Sequence, residues 1–251
     1  MKQLAIIMIF SAFIVKGTGQ KIVQKQPTGP FTFAPKGIQS PYMVNPDWQA
    51  RTMEAGALWG TYNSVKGNAF YNDEWDKGYI LLRDNRIAQN IFIAFNIYTN
   101  EIYYIADSQV LVLDPLIPVA EFGIHDQKED STKTTIFRCG YPATDNNTDK
   151  TFYKVLVDNK ISLLKHYNKK IIERNNQSGV PERAFIDSES WYIFNTREKK
   201  IIPIKKNKNS LLTALSQYAD KIESILKKRN LKLKTENDWI MRMNELNNQI
   251  K

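Results

Sequence analysis

The stretch from Gly78 to Ile105, GYILLRDNRIAQNIFIAFNIYTNEIYYI, restricts the fold more than any other part of the chain. Ile91, Ile93, Phe95 and Ile97 fall on one side of an extended backbone, and Phe92, Ala94, Asn96 and Tyr98 on the other. Side chains alternate across a strand, so one face is wholly apolar and the other mixed. A helix needs apolar residues every three or four positions and does not favour so many β-branched and aromatic side chains. Asp84-Asn85 and Thr99-Asn100 interrupt the run. Both pairs suit hairpin loops, because Asp and Asn bond their own backbone and tolerate turn geometry. Consecutive strands of a mostly antiparallel sheet are therefore expected here.

The first residues read as an export signal. Lys2 gives a positive start, Leu4 to Val15 is nearly continuous apolar sequence, and Gly17-Thr18-Gly19 offers small residues for cleavage before Gln20. The apolar run is shorter than the roughly 20 residues of a membrane span. No cysteine flanks the cleavage site, which argues against a lipoprotein. Cys139 is the single cysteine, so an internal disulfide is impossible.

Residues 20–55 are expected to form a Pro-rich extended leader. Pro27, Pro30, Pro35, Pro41 and Pro46 exclude a helix or a central strand. Residues 56–205 are expected to form the β domain. Within it, Gln109 to Leu113 reads as a strand, Val119 to Ile124 as a short edge strand, and Ile136 to Cys139 as a further strand. Tyr141 to Lys150 reads as a loop. Tyr153 to Ile161 repeats the aromatic–strand–Asp-Asn–basic–Ile pattern of Tyr79 to Ile87, and Trp191 to Ile202 gives another hairpin. The polar stretch Tyr167 to Ser190 reads as a long loop.

The remainder, 206–251, is expected to be a helical hairpin packed on the sheet. Ser210 can cap a helix whose stripe is Leu211, Leu215, Tyr218, Ile222 and Ile225. Thr235 is the next N-cap, with Glu236 and Asp238 in the first turn and a stripe of Trp239, Met243, Leu246 and Ile250. The fold class expected is α+β, mainly β: an antiparallel meander, built as a sandwich or a partly closed roll, with a C-terminal helical hairpin.

Charge is unevenly spread. The whole chain carries +9, yet residues 20–150 hold 12 Lys and Arg against 15 Asp and Glu, while residues 151–251 hold 21 against 11. A basic half can attract an anionic surface or partner, although abundant Lys, Asn, Ile and Tyr also fit an AT-rich genome. Export argues against nucleic acid. No Gly-x-Ser-x-Gly turn, His-Glu-x-x-His motif or Gly-rich phosphate loop is present. The Asp73, Glu74, Asp76 cluster around Trp75 lacks the spacing of a calcium loop and reads as a solvated turn. A nucleophilic Cys139 would need His125 or His166 in reach. No catalytic, cofactor-binding or metal-binding residue is assigned, and no cofactor is expected. Paired carboxylates lie remote in sequence in many glycosidases, so that chemistry stays open.

Signal-like residues before Gln20, the segments Phe95 to Ile102 and Phe152 to Val157, and the tail from Ser210 to Leu246 resemble a group of uncharacterised exported proteins of Bacteroidetes-type bacteria. The group carries no assigned activity. The resemblance implies a periplasmic or outer-membrane-associated setting. The expectation is a non-enzymatic binding or scaffolding protein of the envelope, with a protein or anionic-surface partner. The opposing expectation is a periplasmic hydrolase acting on an envelope polymer through paired carboxylates.

Overall fold

The computed structural model describes residues 33–35, 51–52, 62, 64–106, 109–125, 133–175, 178–227 and 233–250. The export signal at 1–19 and most of the Pro-rich leader lie outside the described residues. Two pieces of the leader lie along the domain as short strands: β1 (Phe33–Pro35) pairs with the start of β5 (Arg86–Asn96), and β2 (Arg51–Thr52) with β7 (Gln109–Val112).

The chain builds one large, mostly antiparallel open sheet, with helices after the last strand. β4 (Asp76–Leu82), β5, β6 (Glu101–Ala106) and β7 run as a meander. Asn85 and Asn100 sit at the β4–β5 and β5–β6 turns with φ of 68° and 58°. That left-handed geometry is tolerated by Asn better than by most residues, which is why these pairs mark turns. The meander then breaks. β8 (Val119–His125) returns to lie beside β4, not β7. β8 is therefore central, flanked by β4 and by β9 (Thr134–Arg138), and is not the expected edge strand. Its Glu121 looks like an edge residue in sequence. It is buried because Arg138 donates to it at 2.7 and 2.8 Å and the Tyr79 hydroxyl at 2.9 Å.

Beyond β9 follow β10 (Tyr153–Val157), β11 (Ile161–Asn175), β12 (Pro181–Asn195) and β13 (Lys200–Ile204), each antiparallel to its neighbour. The stretch expected as a loop, Tyr167 to Ser190, is instead the outer half of the β11–β12 hairpin. Its register is continuous from Ile161↔Asn195 to Asn175↔Pro181. Lys, Asn and Ser are poor strand formers and hid the alternation. Tyr167, Ile171 and Phe185 nevertheless occupy one side of the ribbon. The β10–β11 turn also differs from the β4–β5 turn it echoes in sequence, since Asn85 is left-handed and Asn159 is not.

Alternation sorts the side chains onto two faces. The front carries Ile80, Leu82, Ile93, Phe95, Phe122 and Phe137, sealed by Phe152. Phe122 and Phe137 stack at 5.0 Å, and Phe95 lies 5.1 Å from each. Such ring pairs add about 0.5–1.5 kcal/mol each beyond their burial. On the back, Phe92, Ala94, Tyr103 and Ile105 are covered by Val65, Phe70 and Trp75. The covering segment contributes β3 (Val65–Lys66), which runs parallel to β12 at Arg183 and Ala184, and a bridge from Phe70 to Asn96. It thereby joins the tip of the β11–β12 hairpin to the far end of β5. Between β4 and β8 the backbones approach so closely that a Cβ on Gly78 would lie 2.1 Å from the Gly123 carbonyl oxygen. Only glycine fits there, beside the bulge that Asn90 (φ 57°) makes in β5.

The C-terminal helices cover the front of β10–β13. The first is capped by Asn207, whose side chain accepts from Ser210 N at 2.8 Å; Ser210 itself is not the cap. The expected single helix is also broken at Leu215, giving α1 (Lys208–Ala214), a 3₁₀ turn (Ser216–Tyr218) and α2 (Ala219–Lys227). α3 (Glu236–Gln249) starts with a full capping box between Thr235 and Asp238. Leu211, Leu215, Ile222, Ile225, Trp239, Met243, Leu246 and Ile250 are all buried against Leu163, Trp191 and Ile193. Asn247 fixes the docking. Its side chain accepts from Ile161 N at 2.9 Å and donates to Ile161 O at 2.8 Å, as a neighbouring strand would. Lys160 and Lys221 donate to the carbonyls of Ile250 and Gln249, favourable positions at the negative end of α3. Replacing Asn247 by Ala strands both polar groups of Ile161 in the core. The variant should lose about 2–4 kcal/mol in urea unfolding; an unchanged midpoint would mean the clip contributes nothing.

Candidate functional site

The crossover that returns the chain from β7 to β8 has a second consequence. Leu113 to Pro118 passes over the end of the sheet, and its Pro115 and Pro118 restrict the backbone. Asp114 folds it into a turn by accepting from Leu116 N at 2.7 Å. Opposite stands the β5–β6 turn, tied by Asn100 to the segment entering β10. Asn100 donates to Lys150 O at 3.0 Å and accepts from Phe152 N at 3.2 Å. Between these segments opens a cleft of about 360 Å³, within the usual range for small-molecule sites.

Its floor is apolar and belongs to the front core: Ile102, Leu113, Val119 and Phe152. Leu116 projects from the rim at 82 % exposure. Charges of both signs surround the mouth: Arg83 and Lys150 against Glu101, Asp114 and Asp149. Two of the carboxylates have structural partners, Asp114 in its own turn and Glu101 with the Tyr103 hydroxyl at 3.2 Å. Cys139 reaches the cleft wall but donates to the Val119 carbonyl at 3.1 Å. Burial pushes its thiol up, and the nearby Arg83 only partly offsets this. The protonated thiol is a poor nucleophile.

Neither histidine serves Cys139. His125 lies at the other end of β8, bonded to Thr134 Oγ1 at 2.9 Å. His166 packs on Tyr153 on the back of the sheet, and burial lowers its pKa. The acidic turn after Tyr71 is only partly solvated: Trp75 and Asp76 are buried, and Asp73 accepts from Asn68 at 2.6 Å. Among the described residues no three His, Cys, Asp or Glu side chains are grouped to hold a metal, and no helix is long and apolar enough to cross a membrane.

A second polar centre lies where α3 meets the hairpin. Lys165 is almost fully buried, pairs with Glu236 at 2.5 Å and Glu189 at 2.9 Å, and lies over the rings of Trp191 and Tyr167. Lys154 adds a contact to Glu236 at 3.5 Å and Lys206 one to Glu189 at 2.7 Å. Burial opposes charge on Lys165, Glu189 and Glu236. It would lift Glu189, but hydrogen bonds from Lys206, Lys165 and Trp191 hold it at about 2. Glu236 is likewise lowered by Lys165 and Lys154 against the cost of burial. Burial would lower Lys165, but its two carboxylate partners raise it. All members are satisfied, so this centre fastens α3 and presents no free reactive group.

The sequence marked Asn100 as a turn residue and Phe152 as the start of a strand segment, but gave neither a place in a site, and it did not single out Arg83, Leu116 or Lys165. Arg83, Asn100, Leu116 and Phe152 meet from separate segments of the chain. The one local signal is the Pro-flanked Asp114 to Pro118 turn.

Both glutamates titrate below the ordinary 4.5 when folded. The folded state thus binds their protons less tightly than the unfolded chain does. Their stabilisation is complete above about pH 4.5 and fades as the pH falls toward 2. Unfolding midpoints should drop across that window. Lys165→Met keeps the apolar stem but removes the charge, so it should cost about 1–2 kcal/mol at neutral pH and flatten the acid slope. A slope as steep as wild type would show that other carboxylates dominate.

No protein-family model, no curated protein and no solved structure matches this chain.

Proposed function

We propose that the protein is an exported, non-enzymatic binding protein of the bacterial envelope, and that its ligand occupies the cleft between the β5–β6 turn and the Leu113 to Pro118 crossover. The observation that carries this reading is the cleft's construction. An apolar floor and two cations lie between a crossover that carries the exposed Leu116 and two prolines and, opposite it, a turn tied by Asn100 to the segment entering β10. Sites of this kind bind by burying an apolar body and orienting a polar group. Support for export comes from the first 19 residues and from the resemblance of the segments quoted above; the setting proposed is periplasmic or outer-membrane-associated.

A second reading is a hydrolase of an envelope polymer. Glu101, Asp114 and Asp149 at the cleft mouth favour it, because glycosidases use two carboxylates.

One preparation tests both. The full chain is expressed in a Gram-negative host, recovered from the periplasm, and weighed by native mass spectrometry. A mature protein starting near Gln20 with bound small-molecule mass is expected. Leu116→Asp and Arg83→Ala should retain the melting temperature and lose that mass. Cytosolic protein with an intact start contradicts export. Equal ligand on both variants contradicts the cleft. Release of soluble fragments from isolated envelope polymer, abolished by Asp149→Asn or Glu101→Gln, would establish the hydrolase instead.

A further inference from the structure

The β11–β12 hairpin continues well past the sheet that carries it. β10 pairs with β11 only at Leu163, Leu164 and Lys165. From His166 to Asn175, β11 pairs with β12 on one side, and among the described residues no strand pairs with its other side. A strand edge of this length is a template for another chain, and proteins normally blunt it with charged side chains, proline, a bulge or a covering segment. This edge contains no proline or glycine and its register with β12 is unbroken, so its charges are what select the chain it can accept.

The side chains along the edge state what fits. On the side of the ribbon that carries Ile171, Lys169 is neutralised by Asp187 at 3.1 Å, and Glu173 stands opposite Arg183. On the other side stand Lys170, Ile172 and Arg174 in alternate positions, all exposed. Glu182, opposite Arg174, is taken by Lys66 at 2.7 Å. Among the described residues neither Lys170 nor Arg174 makes an ion pair. Ile172 is 40 % exposed, as is Ile186 on the adjacent strand. The row therefore reads basic, apolar, basic. It repels a second copy in register with itself, since like charges meet like.

We infer that the free edge of β11, from His166 to Asn175, receives an extended strand of a partner protein whose alternate residues are acidic, apolar and acidic. Main-chain hydrogen bonds supply the attachment, and the pairing of acidic residues with Lys170 and Arg174 around Ile172 sets the register. The surface lies apart from the cleft and does not depend on the cleft being occupied.

The test uses the full mature chain and a labelled synthetic peptide repeating glutamate–threonine–valine–threonine, with lysine replacing glutamate in the control. Binding is read by fluorescence anisotropy, and amide exchange is read in the complex. The acidic peptide should bind, the lysine peptide should not, and slowed exchange should be confined to 166–175 and its flanks. The double variant Lys170→Glu, Arg174→Glu, both exposed, should keep its melting temperature and weaken binding by about ten-fold. The reversed variant should gain affinity for the lysine peptide, which keeps the test decisive if overall affinity is low. Equal binding of both peptides, no binding by either, or no change in exchange at 166–175 would overturn the proposal. So would capture of the wild type, but not the variant, by phosphatidylglycerol vesicles in the absence of acidic-peptide binding.

Discussion

The length and register of the β11–β12 hairpin is the constraint on which the rest of the architecture depends. Its inner half presents Leu163, Trp191 and Ile193 to the helices, and its outer half carries Phe185 across to Tyr62, Tyr98 and Val65. One ribbon thus bears on two cores. A shift by one residue would turn every side chain to the other face. Trp191 would leave Trp239, Lys165 would leave its carboxylates, and Phe185 would leave the segment that covers β5 and β6. Register is secured at the base by polar groups that only one alignment satisfies: the Asn247 clip on Ile161 and the Lys165 pairs with Glu189 and Glu236. Buried ion pairs add little net energy, because desolvation cancels most of the attraction. Here their value is in selecting one docking of α3, with Trp239 and Met243 supplying the larger apolar contribution.

The same geometry explains why the cleft lies where it does. The chain cannot continue its meander past β7 and still place β8 beside β4, so it must pass over the end of the sheet. That passage is the Leu113 to Pro118 segment, and the exposed Leu116 is a consequence of the crossover. The β5–β6 turn reaches the entry to β10 through Asn100, whose side-chain nitrogen donates and whose side-chain oxygen accepts. The cleft wall is thus held by the sheet's topology and by one turn residue with left-handed backbone. A pocket built this way needs no closure to exist.

Much of the framework was legible in the sequence where the determinants are local. Period-two alternation in β5, the Asn turns, the Thr235 capping box and the stripe from Trp239 to Ile250 each depend on residues within a few positions of one another. The failures share one cause. Glu121 is buried by Arg138 and Tyr79, distant partners that make a central strand look like an edge. The outer hairpin is written in Lys, Asn, Ser and Glu, and is held by cross-strand neighbours and by Phe185. Asn207 is the cap, and the Ser210 hydroxyl accepts from Lys205 N instead. The cleft was illegible for the same reason, since Arg83, Asn100, Leu116 and Phe152 meet only after the crossover has formed.

The most direct test of this account is residue-resolved amide exchange of the free protein across 166–190. In a two-stranded ribbon every second amide points to the partner strand and the others point away. Slow and fast amides should alternate along His166 to Asn175, and the residue directly opposite each slow amide on β12 should be slow as well, apart from Arg183 and Ala184, which also pair with β3. Uniformly fast exchange from Tyr167 to Ser190 would mean that the outer hairpin is an unpaired loop, and the link between the two cores would be lost with it.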